Sequence, residues 1–301
     1  MSKVIDKCQT AVLVGLVSNG KSTLANALIG KAIMPTSNLV CTSMSVTVID
    51  PLVDGTMPKA VLLNNDSAIV IDAEDIVSVI EDHNLVGGGN FCLKMPLNKL
   101  NHAQFPVAII DTPGVNDGMD AQYSHLSNNI LRNTNNPTVI YVSHVRSCGT
   151  SDEERCLREL ANTMSEKKIN EWFFVLNGWN FLDMSHCQED KVNYLHKIYA
   201  MAQKCDMPKP QIFFVAALPA ELCVKCMDGI VLTRSEEIKL DEFLSNIDLR
   251  KRAKSNKKTL GKVSNKTLRT ALYYSGITSL ERALYTHFQK NRKGCCNDEN
   301  I

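Results

Sequence analysis

The sequence predicts an α/β fold in which helices cover both faces of a mostly parallel β-sheet. Two features predict this fold. Short apolar segments typical of buried strands alternate with helical segments along the whole chain, as in parallel sheets whose strands are joined by helices. A glycine-containing loop also joins the first strand to the first helix, where many α/β proteins bind phosphate groups. With 301 residues, 44% of them hydrophobic, the chain is long enough to bury a sizeable core.

Each element follows from the spacing of its apolar residues and from the residues at its ends. A continuous apolar run predicts the first strand, and the alternation of Val46 and Val48 with polar residues predicts the second. Ser151 is a suitable N-cap for a helix, and Gly30 follows the first helix, where glycine commonly terminates helices. In chain order we predict strand 10–15, helix 22–29, strand 43–50, hairpin 59–71, helix 72–83, strand 105–111, a helix ending near 132, strand 138–143, helix 152–164, strand 171–176, helix 188–203, strand 211–216 and helix 278–289.

The composition excludes several classes of protein. The 33 lysines and arginines nearly balance the 32 acidic residues, so the chain as a whole has no basic character that would attract nucleic acid or membrane. No apolar run approaches the roughly 18 residues of a transmembrane helix, and we expect no transmembrane segment and no signal peptide. We therefore expect a cytoplasmic protein whose 11 cysteines are reduced thiols. The one C-x-x-C pair, Cys223 and Cys226, is better explained as small apolar residues of a helix than as a zinc site.

Residues 15–22 read G-L-V-S-N-G-K-S and match the phosphate-binding pattern G-x-x-x-x-G-K-[ST]. They lie directly after a strand and at the start of a helix, as the mechanism requires. The glycines let backbone N–H groups approach phosphates, Lys21 can reach the outer phosphates, and Ser22 can bind Mg²⁺. The candidate nucleotide-binding residues of this loop are Gly15, Ser18, Asn19, Gly20, Lys21, Ser22 and Thr23.

A second motif, Asp111-Thr-Pro-Gly114, follows the strand at 105–111. Asp111 lies at the carboxyl end of that strand, where it can contact Mg²⁺ through a water, and the backbone N–H of Gly114 can sense a γ-phosphate. Taken alone, the motif is also compatible with an ordinary turn. Together with the phosphate-binding loop it favours a GTPase-like switch over a small-molecule kinase.

Thr42 lies in a polar loop, residues 35–42, between the first helix and the second strand. A threonine there can bind Mg²⁺ and position the water that attacks the γ-phosphate. The alternative is an ordinary loop threonine, and the spacing alone does not decide between them. The catalytic candidates are thus Lys21, Thr42 and Gly114, and the metal candidates are Ser22, Thr42 and Asp111.

Asn177-Gly-Trp-Asn180 follows the strand at 171–176, where GTPases have the base-recognition motif N/T-K-x-D. In that motif the aspartate accepts hydrogen bonds from the guanine N1 and N2 groups. This chain has Gly178 in place of the lysine and Asn180 in place of the aspartate. Because an amide turns a donor toward the base, part of the guanine contact is left unpaired, at a cost of about 1–3 kcal/mol for each lost bond. Asn177 and Asn180 therefore predict a base-binding loop with weakened guanine selectivity, and the alternative is a plain loop.

Together these residues resemble the bacterial dynamin-like GTPases. Lys21 and Asp111 are 90 residues apart, the long interval of that family. Residues 34–42 are similar to its first switch, which supports the role of Thr42, and residues 110–116 are similar to its second. Residues 212–217, which include Ala216, are similar to the segment that closes over the base.

The resemblance covers about residues 9–290 and implies a P-loop NTPase fold, with one dynamin-type G domain over residues 1–301. It implies guanine nucleotide as the ligand and Mg²⁺ as the cofactor, with Ala216 among the nucleotide-binding residues. Residues 218–247 and 276–284 are similar to the enterobacterial branch tied to the replication sliding clamp and chromosome partition.

Two further expectations concern partners. We expect no helical stalk in this chain, so assembly is expected through self-association of the G domain or through a separate stalk-bearing protein. The stretch from Arg250 to Arg269 holds nine lysines and arginines and no acid. We predict a solvated, mobile basic loop over residues 250–270, with nucleic acid or an anionic membrane as the alternative explanation.

The sequence leaves two functions open. The first is slow hydrolysis of GTP with Mg²⁺, which switches the interaction with a partner. The second is a degenerate GTPase that acts as a nucleotide-bound or nucleotide-free interaction module, because the base motif is altered.

Overall fold

The computed structural model describes residues 5–36, 45–50, 60–64, 67–71, 75–86, 90–95, 97, 105–113, 121–181, 187–247 and 263–298. All structural statements below concern these residues. Thr42, Gly114 and residues 250–262 lie outside them.

The described strands form one nine-stranded sheet in the order β4-β3-β5-β2-β6-β1-β7-β8-β9. The strands are β1 (Gln9–Val14), β2 (Ser45–Asp50), β3 (Ala60–Asn64), β4 (Ser67–Ile71), β5 (Asn90–Lys94), β6 (Val107–Asp111), β7 (Thr138–His144), β8 (Trp172–Asn177) and β9 (Gln211–Val215). β6, β1, β7, β8 and β9 pair in parallel. β2 and β5 are parallel to each other, whereas the β2–β6, β3–β5 and β3–β4 pairs are antiparallel. The mostly parallel sheet predicted from the sequence is confirmed.

Helices lie on both faces of this sheet. They are α1 (Lys21–Ile29), α2 (Ile76–Val86), α3 (Ala121–Asn133), α4 (Ser151–Glu166), α5 (Cys187–Lys204), α6 (Ala217–Met227), α7 (Arg234–Asn246), α8 (Asn265–Tyr274) and α9 (Ile277–Asp298). Alternate residues of β1 belong to two different cores. Ala11 and Leu13 pack with the buried side chains of α1, α6, α8 and α9, and Val12 and Val14 pack with those of α3, α4 and α5.

The loop predicted over residues 250–270 is wrong for its last residues. Residues 265–269 form the first half of α8 and not a loop, and Leu268 is buried within it. Ser264 begins this helix, because its hydroxyl oxygen accepts a hydrogen bond from the backbone N–H of Thr267. No helix among the described residues is long and apolar enough to cross a membrane.

Candidate functional site

The site begins where β1 ends. The loop that follows starts at Gly15, and a Cβ atom at this position would lie 2.3 Å from the backbone oxygen of Val142 in β7. Only glycine therefore allows the loop to pass this close to the neighbouring strand. The loop ends at Gly20, which is left-handed and caps α1 without a side chain. The first turn of α1 thus begins at a residue with no capping group of its own, an arrangement suited to an anion at the helix N-terminus.

The side chain of Lys21 lies against the first residues of this loop. It is only 6% exposed, although lysine is rarely buried. Its Nζ donates hydrogen bonds to the backbone oxygens of Gly15 (3.1 Å) and Leu16 (3.0 Å). The loop carbonyls therefore hold a buried positive charge at the place where the sequence predicts phosphates.

Ser22 and Asp111 meet at the edge of the same loop. The Ser22 hydroxyl donates to Asp111 Oδ2 at 2.6 Å, which joins the start of α1 to the end of β6. Asp111 is fully buried, and its Oδ1 has no hydrogen-bond partner among the described residues. A buried carboxylate oxygen without a partner is unfavourable unless a water or an ion satisfies it. Carboxylate and hydroxyl oxygens are also the hard donors that Mg²⁺ prefers, so these two residues fit the predicted cation.

The electrostatics of Asp111 support the same assignment. Burial raises its pKa to about 6, while the nearby charge of Lys21 and the Ser22 hydrogen bond act in the opposite direction. A bound cation would favour the charged carboxylate further. The two residues after Asp111 are fixed by the fold, since the Thr112 hydroxyl donates to Leu13 O at 2.6 Å and Pro113 O accepts from Ser127.

A second group of residues lies on the other side of the loop, where β7 and β8 end. Asn177 donates through Nδ2 to the backbone oxygen of Asn19 at 2.9 Å. Its Oδ1 accepts from the backbone N–H groups of Gly178 (2.8 Å) and Ala217 (3.0 Å). This one amide therefore ties the phosphate-binding loop, the end of β8 and the start of α6 together. Nucleotide contact by Asn177 stays a prediction, and its structural role was not foreseen.

The side chain of Asn19 also points into the protein. It donates to Val142 O at 3.1 Å and accepts from the Ser147 hydroxyl at 2.9 Å. A nucleotide contact from Asn19 would thus come from its backbone. Ser18, its neighbour, has a positive φ of 61°, so the loop turns sharply here.

Asn180 lies in a short 3₁₀ turn, Trp179–Phe181, after β8. The Trp179 ring packs edge-on against Phe214 of β9 at 4.7 Å, and Lys191 Nζ lies 5.2 Å from the centre of the Trp179 ring. These contacts hold the turn in place, and Asn180 is half-buried within it. Ala216 directly follows β9, and its N–H donates a hydrogen bond to Ser275 O at 2.8 Å, which holds this end of the strand in place.

The structure thus brings most of the predicted residues together around one loop. Gly15, Ser18, Asn19, Gly20, Lys21, Ser22 and Thr23 form the loop and the first turn of α1, Asp111 lies at one side, and Asn177, Asn180 and Ala216 lie at the ends of β8 and β9. Thr42 and Gly114 lie outside the described residues, so their predicted roles are untested by this geometry.

The sequence did not reveal the buried hydrogen bonds of Asn26, which stabilise the chain next to the site. Asn26, in the middle of α1, is fully buried and bonds through Nδ2 to Met34 O and to Glu221 Oε1, and through Oδ1 to the N–H groups of Ile33 and Met34. It fixes the segment that leads toward residue 42. In the sequence, Asn26 is visible as a polar residue on the apolar face of a short helix, but this pattern does not indicate which residues it binds.

Comparisons with known proteins agree with this architecture. A family model described as "Dynamin family" matches residues 11–179, which is 169 of the 301 residues. No curated protein matches the sequence.

A solved structure described as an oligomerised bacterial dynamin pair that senses and tethers membranes has a similar fold, with 15% identity and a TM-score of 0.50. A second structure with the same description is 16% identical with a TM-score of 0.48. Each match covers 96% of this chain and 44% of the matched chain, so this chain spans less than half of their length. Since the family match covers more than half of the sequence and the sheet is mostly parallel with helices on both faces, the chain belongs to the dynamin family and has the fold of its G domain.

Proposed function

We propose that this chain binds GTP with Mg²⁺ and hydrolyses it to GDP and phosphate, and that this hydrolysis switches its interaction with a partner. Membership of the dynamin family supports GTPase activity in general. The observation that carries the proposal is the Ser22–Asp111 pair beside the lysine-bearing loop, with Asp111 Oδ1 buried and unpartnered among the described residues.

The phosphates would be held by the loop and the first turn of α1. Backbone N–H groups of Gly15, Gly20 and Ser22 and the N-terminus of α1 favour anions. Lys21 supplies a positive charge that the loop carbonyls already position. Positioning and charge stabilisation account for most of the catalysis in phosphoryl transfer, so a pre-positioned lysine is suited to the task.

Mg²⁺ would be held by Ser22 Oγ and, through a water, by Asp111. When bound, the ion neutralises charge that develops on the phosphate oxygens. The Ser22 oxygen could bind the cation through a lone pair while its O–H continues to donate to Asp111. Asp111, with a pKa of about 6 without the ion, is available as a charged acceptor.

Thr42 and Gly114 complete the proposal. Thr42 would bind Mg²⁺ and hold the attacking water together with the backbone of Gly114. The nucleoside would lie against Asn177, Asn180 and Ala216 at the ends of β8 and β9.

The experiment that tests the proposal compares two lysine variants. Lys21→Ala should weaken GTP binding by roughly 100-fold, because a charged hydrogen-bond donor to phosphate is lost. The matched control is Lys239→Ala, which removes an exposed lysine of α7. Isothermal titration calorimetry and phosphate release would measure both variants. Equal GTP affinity of Lys21→Ala and the wild type would contradict the proposal.

A degenerate interaction module is the second candidate, and Gly178 and Asn180 favour it. Asn180→Asp restores a carboxylate acceptor for guanine, and we expect it to raise GTP affinity about tenfold, or about 1.4 kcal/mol. Titration with GTP, GDP, ATP and XTP gives the base preference of both forms. A wild type that binds none of these nucleotides, together with a binding-competent Asn180→Asp variant, would establish the second candidate.

The remaining proposals concern partners and location. We propose self-association through the G domain or binding to a separate stalk-bearing protein, and membership of the dynamin family supports self-association. We also propose that the chain belongs to the branch tied to the replication sliding clamp and that it is cytoplasmic. An anionic partner for the stretch between Arg250 and Arg269 is a further proposal. Pull-down with and without a non-hydrolysable GTP analogue would test whether association depends on the nucleotide.

A further inference from the structure

His144 occupies the space that a side chain at position 178 would need. It is the last residue of β7 and lies beside Asn177 in the parallel register with β8. A Cβ atom on Gly178 would lie 2.4 Å from Nε2 of the imidazole and 2.9 Å from its Cδ2. Gly178 also has a φ of 82°, which favours glycine. The imidazole and the glycine therefore fit each other, and neither could keep its place if position 178 carried a side chain.

The hydrogen bonding of the ring determines which nitrogen carries the proton. His144 Nδ1 accepts a bond from the backbone N–H of Arg146 at 3.2 Å. In the neutral ring the proton is therefore on Nε2, the atom next to Gly178. Burial and the charge of Arg146 lower the pKa of His144, which keeps the ring neutral near pH 7. The ring thus places its Nε2 beside Gly178, in the turn that follows β8.

This turn lies next to the phosphate-binding loop. Asn177 bonds to the backbone of Asn19, and a Cβ on Gly20 would lie 2.3 Å from Asn177 Nδ2. The Ser147 hydroxyl bonds to Asn19 Oδ1 and to the backbone oxygen of His144. Through Ser147, His144 is therefore connected to the phosphate-binding loop. Its ring, however, lies against Gly178, in the predicted base-binding loop.

We propose that His144 contacts the nucleoside part of a bound nucleotide and supplies, from the end of β7, the side chain that position 178 lacks. The inference rests on the proposed nucleotide binding at this site. The ligand class is a nucleoside di- or triphosphate, with the ring against its ribose or base. Because the contact is on the nucleoside side of the loop, His144 affects the affinity for nucleotides and leaves the affinity for phosphate chains unchanged.

The test is a set of titrations with two ligands, GTP and inorganic tripolyphosphate, both with Mg²⁺. We expect His144→Ala to weaken GTP about tenfold, or about 1.4 kcal/mol, and to leave tripolyphosphate unchanged. His144→Gln, which keeps an N–H donor at a similar reach, should retain most of the affinity. His196→Ala, which removes an exposed histidine of α5, is the matched control. Melting temperatures of all variants show whether each is folded.

A double-mutant cycle with Gly178→Ala separates the contact from backbone strain. The new Cβ meets the imidazole only when His144 is present, whereas the strain at φ 82° is the same in both backgrounds. Gly178→Ala should therefore weaken GTP more in the wild type than in His144→Ala.

Three results would overturn the inference. Equal GTP affinity of His144→Ala and the wild type would show that the ring does not contact the nucleotide. Equal losses for GTP and tripolyphosphate show that His144 shapes the phosphate-binding loop instead. A wild type that binds tripolyphosphate but no nucleotide removes both this inference and the proposed function, whereas the first two results leave the proposed function intact.

Discussion

The phosphate end and the base end of the candidate site are built in different ways. At the phosphate end, Lys21, Ser22 and Asp111 hold the motif positions, and their polar atoms lie within hydrogen-bond reach of the loop or of each other. At the base end, the motif has changed to Asn177-Gly178-Trp179-Asn180, and the corner is completed by residues from other elements, including His144 and Phe214. The phosphate end is thus specified locally by the sequence, whereas the base end depends on the assembled fold.

The difference has a physical reason. Phosphate binding requires a backbone turn, a helix N-terminus and a few charges, and all of these come from residues 15–22 and one neighbouring strand end. Base binding requires a shaped pocket whose walls come from several strands. Changes in the base motif can therefore be offset by side chains from distant parts of the chain, whereas changes in the phosphate-binding loop cannot.

Asp111→Asn tests the phosphate end and has the largest expected effect. The variant keeps the shape of the side chain and loses the charge that would hold Mg²⁺ through a water, so hydrolysis should fall roughly 10–100-fold. Phosphate release at saturating GTP and varied Mg²⁺ measures the change. Asp82→Asn, at an exposed position of α2, is the control. Unchanged hydrolysis by Asp111→Asn would exclude Asp111 from the metal site.

Asn177→Ala tests the junction between the two ends. The substitution removes three hydrogen bonds and leaves the buried N–H of Ala217 without this partner. Each lost bond costs about 1 kcal/mol, so we expect about 3 kcal/mol less unfolding free energy. Urea denaturation would measure it, with the exposed Asn193→Ala of α5 as the control. A loss no larger than that of Asn193→Ala would show that the three elements are held together without this amide.

Glu221→Gln has the smallest expected effect and concerns the support behind the site. Burial raises the pKa of Glu221 to about 6, so the folded protein binds a proton more tightly than the unfolded chain. The contribution of Glu221 to stability is therefore largest below about pH 4.5 and is lost as the pH rises through about 6.

Glutamine keeps the acceptor for Asn26 and has no charge to bury. We expect Glu221→Gln to be about 2 kcal/mol more stable than the wild type at pH 7, and this difference should nearly disappear at about pH 4.5 and below. Urea denaturation at both pH values tests this. The same difference at the two pH values would show that the charge of Glu221 is not involved.

Much of the fold was predictable, because the central strands are apolar runs and their connecting helices are amphipathic. β5, α7 and α8 were not predicted. The loop predicted at residues 250–270 was wrong for residues 265–270, because the Ser264 cap and the buried Leu268 stabilise a helix that begins at Asn265. These errors lie away from the phosphate-binding loop, whose signal is a local motif.

Within the site, the sequence predicted candidate nucleotide-binding residues but not the contacts of their side chains inside the protein. The amides of Asn19 and Asn177 bind Val142, Ser147 and Ala217, whereas their contacts with a nucleotide stay predictions. Glu221 was missed, because its partner is distant in sequence: it bonds to Asn26, 195 residues away. Only the assembled sheet brings such pairs together.

The most direct test of the central claim, that the loop with Lys21, Ser22 and Asp111 is a nucleotide site completed by Mg²⁺, is calorimetric titration of the wild-type protein with GTP. It is carried out once with Mg²⁺ and once with EDTA. We predict saturable binding to one site with Mg²⁺ and at least tenfold weaker binding with EDTA, about 1.4 kcal/mol. Absence of binding in both titrations, or equal affinity in both, would contradict the account.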